Sequence, residues 1–599
     1  MRERRLAGAV VWVAACAACA PEIEAAARPE IAFVDVAERA GLELVQTSGD
    51  ARRWYILESN GTGAAWLDYD GDGDLDLFVG NGQGLRYLND GAQLAIERTA
   101  HSTLYRNDGG LHFTDVGAAT GCARTDWVQA IATGDVDNDG DTDLYLGCFG
   151  RDVLLRNDGA TFVDVTAESG LGNELWSSGA AFGDADNDGD LDLYVANYCL
   201  FDLEHPPAAG KRNVIKDIEV GWGPEEENRQ GFNPGAPNVF YLNDGAGHFR
   251  EATLECGLAL EKPLCSYAVV FSDIDRDGDA DILVANDMQP SNLFRNLGGG
   301  KFEEQGAKCG FASGSDGRPT SAMGLSIEDA DGDGDFDVFR TNFDFEPNSL
   351  HVNDGQGRFT DRARPLGLAS ATMDKLAWGG GFFDADCDGD LDILVANGHV
   401  YPQAKDIGMS GWRMETQLFE AVQRTQGQTV WIDATYKVGG PFEAQHSARG
   451  VAFGDPDDDG DVDVLIVDMD ERPRLLENRS TRAGHWLGVR LSGERSGRDA
   501  FGALVEVVAG GRTWSREMRT TQGLYSSHDP RLHFGLGSVD GRASIVVHWP
   551  SGQVSLKRDV ELDRYVHIDE REPLHVSREE LVKLNVRPRG TARPNDEGK

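Results

Sequence analysis

An all-β chain, built as a ring of repeated four-stranded units and followed by a small β-sandwich, is what the sequence predicts. Three observations carry that expectation. A nine-residue acidic pattern recurs seven times, with aspartate at positions 1, 3, 5, 7 and 9 and glycine at 6. Short runs of β-forming residues flank every copy, separated by turn signals. After Asn478 the acidic pattern stops and a different set of alternating strands begins.

The copies begin at Asp68, Asp135, Asp184, Asp273, Asp329, Asp384 and Asp455, numbered here as loops 1 to 7, at intervals of 67, 49, 89, 56, 55 and 71 residues. Intervals near 50 to 56 suit one propeller blade with its loop, and longer ones require insertions. Each loop is preceded by a Gly/Ala-rich apolar stretch, as in Gly179–Gly183, and followed by a β-rich run, as in Leu191–Asn197. A hairpin with an Asn-Asp-Gly turn comes next (Asn157-Asp158-Gly159, Asn243-Asp244-Gly245, Asn353-Asp354-Gly355). The unit ends in a strand built on a bulky residue. Such strands stand at Phe113, Phe162, Phe249, Phe302, Phe359 and Val430–Thr435, which makes six for seven loops. The missing one is at the start, Phe33-Val-Asp-Val-Ala37, so the N-terminal strand is expected to complete the last blade and remove the open edge. Seven blades follow.

Antiparallel order also fixes the faces. The 1–2 connections (the aspartate loops) and the 3–4 turns share one face, and the 2–3 and 4–1 connections share the other. The large insertions, about Gly82–Ser102, Tyr198–Pro237 and Gly398–Gln428, all fall in 2–3 connections, beside Trp127, Trp176, Trp378 and His446. Long loops on a rigid scaffold are where binding resides.

Alternate aspartates converge only if the backbone curls, and glycine at position 6 permits the curl. The ligand sets are Asp68, Asp70, Asp72, Asp74 and Asp76; Asp135, Asp137, Asp139, Asp141 and Asp143; Asp184, Asp186, Asp188, Asp190 and Asp192; Asp273, Asp275, Asp277, Asp279 and Asp281; Asp329, Asp331, Asp333, Asp335 and Asp337; Asp384, Asp386, Asp388, Asp390 and Asp392; and Asp455, Asp457, Asp459, Asp461 and Asp463. Carboxylates at 1, 3, 5 and 9 with the carbonyl at 7 form a hard-oxygen cage suited to calcium, up to seven ions in all. The position-7 side chain is surplus to the cage, left for solvent or a water. An EF-hand is excluded, because position 12 is Val79 in loop 1 and Leu146 in loop 2, and strands flank the loops.

These loops resemble the D-x-D-x-D-G-x-x-D cation sites of FG-GAP/VCBS repeats, the units of integrin α-subunit propellers, over about residues 30–480. The resemblance implies a propeller with calcium sites and extracellular recognition as a use. Beyond it, Trp486-Leu-Gly-Val-Arg-Leu491, Gly502-Ala503, Leu532-His-Phe-Gly-Leu-Gly537 and Trp549-Pro-Ser-Gly552 resemble the ASPIC/UnbV domain. That domain follows FG-GAP/VCBS propellers in a family that includes cartilage acidic protein and many bacterial exported proteins. Gly497 stands where the family usually has asparagine. The expected organisation is a leader and linker over 1–28, the propeller over 29–482, the sandwich over 483–570 and a loose tail over 571–599.

The leader reads as an export signal. Arg2, Arg4 and Arg5 precede an apolar stretch, Leu6–Ala15, too short to span a bilayer. Val13-Ala14-Ala15-Cys16 resembles a bacterial lipobox, with Cys16 to be lipidated; a plain cleaved signal ending near Ala25–Ala27 is the other reading. Cys16-Ala17-Ala18-Cys19 is followed by Ala20, so it is no haem attachment site. The expected location is therefore the cell envelope or outside the cell. Seven further cysteines remain, and Cys256 with Cys265 is the best local disulfide pairing.

A net charge of −45 argues against nucleic acid and anionic lipid as partners, leaving a lipid anchor at Cys16 as the one membrane contact. No H-E-x-x-H, Walker, G-x-S-x-G or helix-opening G-x-G-x-x-G motif is present, so no catalytic residue is assigned. His399, His446, His528 and His533 are scattered, and His446 is the one placed near the channel mouth. The expected function is recognition of an extracellular or envelope protein or polysaccharide, with Trp176, Tyr198, Trp222, Phe232, Tyr401 and Trp412 as aromatic contacts. The alternative is a polysaccharide hydrolase or lyase using the same face.

Overall fold

The computed structural model describes residues 30–586, apart from 54, 90–92, 207–212, 216–217, 221–233, 425–427, 573–575 and 585. The export leader and lipobox therefore lie outside the described residues, as do Trp222 and Phe232. No described helix is long and apolar enough to cross a membrane.

The chain is all-β. Seven four-stranded antiparallel sheets each carry one aspartate loop between their first and second strands. Sheet 2 shows the pattern: Val128–Gly134 runs in, loop 2 turns the chain, and Asp143–Cys148, Val153–Asn157 and Phe162–Asp164 complete the sheet. The first strands are buried at every residue, because each is covered on both faces by its neighbours. They contact one another in sequence from Ala64–Leu67 round to Ala448–Gly454, which contacts Ala64–Leu67 again, so the circuit closes. The N-terminal strand Phe33–Asp35 pairs antiparallel with Arg474–Asn478, Phe33 opposite Asn478, and supplies the fourth strand of sheet 7.

One insertion boundary differs from expectation. Gln417–Gln423 is the third strand of sheet 6, paired with Asp392–Asn397, so the third insertion ends before Gln417 and not at Gln428. This strand lacks the asparagine turn signal that marks the others, which hides it in the sequence. The first insertion folds into a hairpin, Gly84–Leu88 with Gln93–Glu97.

The C-terminal module is two facing sheets. One holds Leu532–Gly537, His485–Ser492 and Arg564–Asp569, and the other holds Arg512–Glu517, Leu504–Ala509, Ala543–His548 and Val554–Val560. The segment after 571 is not wholly a loose tail. Ser577 caps a helix, Arg578–Lys583, through a capping box with Glu580. Leu581 and Val586 pack in a cluster with Val546 and Leu556.

The module does not stand apart from the ring. A single apolar cluster runs from Ala130, Tyr145 and Phe182 of sheets 2 and 3 into Leu487, Phe501 and Phe534 of the sandwich. Its loop between Glu517 and Leu532 enters the middle of the ring as a plug. There the amides of Ile131 and Trp66 donate to the carbonyls of Tyr525 and Ser527, at 2.9 and 3.2 Å. Leu325 and Gly523 exchange a pair of backbone bonds, and Asp529 donates to the Phe453 carbonyl at 2.9 Å. Strands of sheets 1, 2, 5 and 7 thus all bind the plug. Gly63 is required for this approach: a Cβ there would lie 2.1 Å from the Tyr525 carbonyl oxygen.

Candidate functional site: the aspartate loops

All seven position-6 glycines adopt the left-handed conformation, from φ 88° at Gly389 to 108° at Gly278, as the curl demands. A second left-handed residue stands at position 4 in every loop: Gly71, Asn138, Asn187, Arg276, Gly332, Cys387 and Asp458. Glycine, asparagine and aspartate tolerate that conformation, and they are a signal legible in the sequence. Arg276 and Cys387 obscure it.

The first and last aspartates of each loop are structural as well as acidic. In loop 2 the amides of Asp139 and Gly140 donate to the two carboxylate oxygens of Asp135, at 3.1 and 2.7 Å. Loops 3, 4 and 7 repeat this with Asp184, Asp273 and Asp455. In loops 2 and 3 the position-9 carboxylate takes the position-2 amide and an amide of the third strand: Asp143 accepts from Val136 and Asn157, and Asp192 from Ala185 and Asn243. These two loops are therefore tied to their own sheets by their own first and last aspartates.

Several of these carboxylates remain short of partners. The buried oxygens Oδ1 of Asp68, Asp137, Asp186, Asp275, Asp329 and Asp384 and Oδ2 of Asp337 and Asp463 have no hydrogen-bond donor. Unpaired buried carboxylate oxygen is costly. Ligand oxygens of Asp68, Asp70 and Asp76 lie within 4.8 Å of one another, as do those of Asp135, Asp137 and Asp143, of Asp184, Asp186 and Asp188, and of Asp273, Asp275 and Asp277. Burial, with a smaller push from like charges, raises the Asp76 and Asp143 carboxyls to about 8. It raises Asp184 and Asp329 to about 7, and drives Asp192, Asp281, Asp337, Asp392 and Asp463 well above the usual carboxylate range. Converging oxygens, orphaned and held against their own charge, fit a hard divalent cation.

The position-7 side chains are not simply surplus. Asn138 at position 4 of loop 2 donates to Asp190 at position 7 of loop 3 (3.0 Å), and Asn187 of loop 3 donates to Asp279 of loop 4 (2.7 Å). Neighbouring loops are tied hand to hand.

A second tie runs beneath them. The asparagine ending six of the seven third strands sends its Nδ2 to the position-2 carbonyl of the preceding loop: Asn157 to Tyr69, Asn243 to Val136, Asn296 to Ala185, Asn353 to Ile274 and Asn478 to Ala385. Asn107 reaches Pro456 of loop 7 at 2.7 Å, which links the two ends of the circuit. Sheet 6 has Ala421 at this register, and its amide still donates to Asp392. In sequence these asparagines read as turn residues, and the clamp does not show. Asn157→Asp, which keeps the acceptor but loses the donor, is expected to cost about 1–3 kcal/mol, the price of leaving a buried carbonyl unpaired. Urea unfolding measures it; an unchanged midpoint would remove the clamp.

The aromatic and histidine residues singled out on the opposite face are mostly core. Trp127, Trp176, Trp378, Tyr198 and Tyr401 are buried, so packing and not ligand contact explains them. Trp412 is partly exposed, with the Arg53 guanidinium 5.0 Å from its ring. His446 Nδ1 is 2.7 Å from Glu471 and 3.8 Å from Asp468, but Arg413 pairs with that glutamate and Arg474 with that aspartate. His528 bonds the Phe453 amide and His533 the Gly460 carbonyl; burial pushes both down to about 4, and His399 to about 3. Cys256 is a free thiol packed with Phe240 and Phe271, while Cys265 faces a different cluster with Trp176 and Tyr198. The Cys256–Cys265 disulfide is not formed.

The FG-GAP-like repeat family matches residues 68–146, 137–195, 273–340 and 329–395, and the ASPIC and UnbV family matches 493–574. The chain is an FG-GAP-repeat protein with an ASPIC/UnbV domain. It is homologous to cartilage acidic protein 1, at 24% identity over 336 residues to the Mus musculus protein, covering 53% of this chain and 46% of that one. The Homo sapiens protein matches at 24% identity over 336 residues, covering 53% and 45%. The chain thus matches about half the length of these relatives. Among solved structures, YCF48 bound to D1 peptide is similar at 9% identity with a TM-score of 0.38, covering 77% of this chain and 98% of that one. An Agrocybe aegerita lectin that recognises non-reducing terminal N-acetylglucosamine is similar at 17% identity and a TM-score of 0.34, covering 62% and 79%. Likenesses this loose carry no functional weight. The FG-GAP matches include loops 1 to 6 and stop before loop 7, which the ASPIC/UnbV domain grips most closely.

Proposed function

We propose that this chain is an exported, calcium-stabilised, seven-bladed β-propeller that recognises a protein or polysaccharide partner at the cell envelope or outside the cell. The observation that carries this reading is that the two faces of the ring are unequal. The aspartate-loop face is taken by the C-terminal module: Trp514 Nε1 donates to the Gly389 carbonyl (3.0 Å), Arg498 N to Asn138 (3.1 Å) and Tyr565 Oη to Asp455 (2.6 Å). The opposite face, which bears the insertions, is left for a partner.

Three exposed apolar side chains occupy the 2–3 connections of consecutive sheets on that face. They are Leu200 (48% exposed), Met288 (45%) and Phe345 (59%). Met288 and Phe345 hold φ of 52° and 66°, a conformation bulky residues avoid. Strain held at exposed apolar residues marks a place where they are used. With Trp176, Tyr198 and Tyr401 buried, an aliphatic and phenyl row favours a protein partner over a sugar ring stacked on aromatics. Calcium in the loops serves, in this reading, to keep the ring rigid under the recognition face. The N-terminal Arg2–Cys16 signal supports export and, through Cys16, anchoring.

The test is a calcium-replete binding screen against envelope proteins and polysaccharides, using the full mature chain. Met288→Ser with Phe345→Ser is expected to weaken the captured partner at least tenfold, about 1.4 kcal/mol. Deleting 221–233 trims the second insertion while sparing the buried Tyr198. Binding that survives both changes places recognition on another surface.

A further inference from the structure

Three equivalent amides of the ring are held by carboxylates of the C-terminal module. The amide of the first aspartate donates to Asp499 Oδ2 in loop 2 (2.7 Å), to Glu517 Oε1 in loop 4 (3.0 Å) and to Asp529 Oδ2 in loop 7 (3.2 Å). In each of these loops the side chain of that same aspartate takes the amides of positions 5 and 6. A carboxylate of the module therefore fixes where the loop begins, and the loop's own aspartate fixes where it curls.

The three carboxylates come from separate parts of the module. Asp499 lies between strands His485–Ser492 and Leu504–Ala509, Glu517 ends strand Arg512–Glu517, and Asp529 belongs to the plug. They share a register on the ring but not a motif in the chain. Their charges differ in company: Arg519 pairs with Glu517 at 3.0 Å and Arg531 with Asp529 at 2.9 Å, while Asp499 has no ion-pair partner among the described residues. Loop 7 receives further contacts, from Tyr565 Oη on Asp455 Oδ2 (2.6 Å) and from His533 on the Gly460 carbonyl (3.0 Å). In that loop Asp463 is 2% exposed and its Oδ2 has no donor, so an oxygen stays available to an ion.

We infer that loops 2, 4 and 7 are composite cation sites, completed from outside the loop by Asp499, Glu517 and Asp529 as positioning residues, so that cation loading and seating of the plug form one coupled equilibrium. The inference rests on the calcium reading above. Coupling of this kind is reciprocal. Without the ion, repulsion among the loop's carboxylates works against the backbone geometry that presents the position-1 amide to the module. A seated module holds that amide in place and so holds the loop ready for the ion.

Hydrogen exchange on the full chain, in millimolar calcium and then in excess chelator, tests this through the plug amides Gly523, Ser527 and Asp529. None of the three belongs to an aspartate loop. Chelation is expected to speed their exchange about five- to 150-fold, the span of ordinary allosteric coupling. In the reverse direction, Asp499→Asn keeps an acceptor oxygen but removes the charge, and a calcium titration is expected to show one site weakened with the rest unaltered. Calcium binding that leaves plug exchange unchanged overturns the coupling and spares the calcium reading. No calcium binding at all takes down both.

Discussion

Stripping divalent cations from this protein is expected to lower its melting temperature, and the loss is expected to be larger at pH 8 than at pH 5. The first half follows from linkage. Each filled site contributes about 2.7 kcal/mol when the ion is present at a hundred times its dissociation constant, and there are seven equivalent loops. The second half follows from the carboxyls. Asp76 and Asp143 sit at about 8 in the folded protein, against 3.8 for the unfolded chain. A raised folded-state pKa means that the fold holds protons the unfolded chain releases, so their contribution is complete below about pH 4 and drains away as pH climbs to 8. Cation-free protein should therefore lose stability steadily across that window. Calcium replaces the protons and should flatten the slope. Calorimetric scans in chelator and in calcium, at several pH values, decide it; parallel curves in the two conditions would falsify the cation reading of these carboxyls.

Removing residues up to Val36 is expected to be nearly as damaging. Phe33–Asp35 is the fourth strand of sheet 7, and Ile31, Phe33 and Val36 are buried, with the Phe33 ring 5.5 Å from that of Phe442. Burial of each such side chain is worth about 1.5–3 kcal/mol. The deletion also bares the Arg474–Asn478 edge, a template for pairing with other chains. A chain beginning at Ala37 should melt lower and self-associate on a sizing column. Phe33→Ala, which keeps the strand, should cost about 3–5 kcal/mol and leave the protein monodisperse. A deleted chain that runs and melts like the parent would show that closure of the circuit does not depend on this strand.

Both expectations begin in features that repetition makes readable. Seven glycines at position 6 announce seven curls, because that backbone conformation has few other occupants. Phe33-Val-Asp-Val can be matched to Phe162-Val-Asp-Val because the bulky residue that seats each last strand recurs. What repetition does not reach stays hidden. The clamp asparagines look like turn residues, since asparagine serves both purposes and only the fold shows Asn107 meeting the carbonyl of Pro456, some 349 positions away. The third strand of sheet 6 lacks that asparagine and reads as part of an insertion. Ser577-Arg578-Glu579-Glu580 spells a capping box and is readable, yet its charged surroundings suggest a loose end. The plug has no signature at all: Thr520, Gly523, Ser526 and Ser527 are the small and polar residues of any loop. Their burial is a property of the ring that surrounds them. The aromatic residues err the other way, because Trp176 or Tyr198 in sequence looks equally fit for a ligand or for a core.

The unequal faces give the molecule its logic. One face is acidic and is closed by the C-terminal module, whose carboxylates and arginines interleave with the loops. The other carries the insertions and the strained row of Met288 and Phe345. The seven loops hold 35 of the acidic residues behind the net charge of −45, on the face that the module closes, so the charge places no bar on a partner at the opposite face.

Equilibrium dialysis against calcium, on the full mature chain at pH 7.5, tests the central claim most directly. The account expects several ions per chain, up to seven, and expects that Asp463→Asn, which alters the position-9 ligand of loop 7, removes one. A chain that retains no calcium at millimolar free concentration would contradict it.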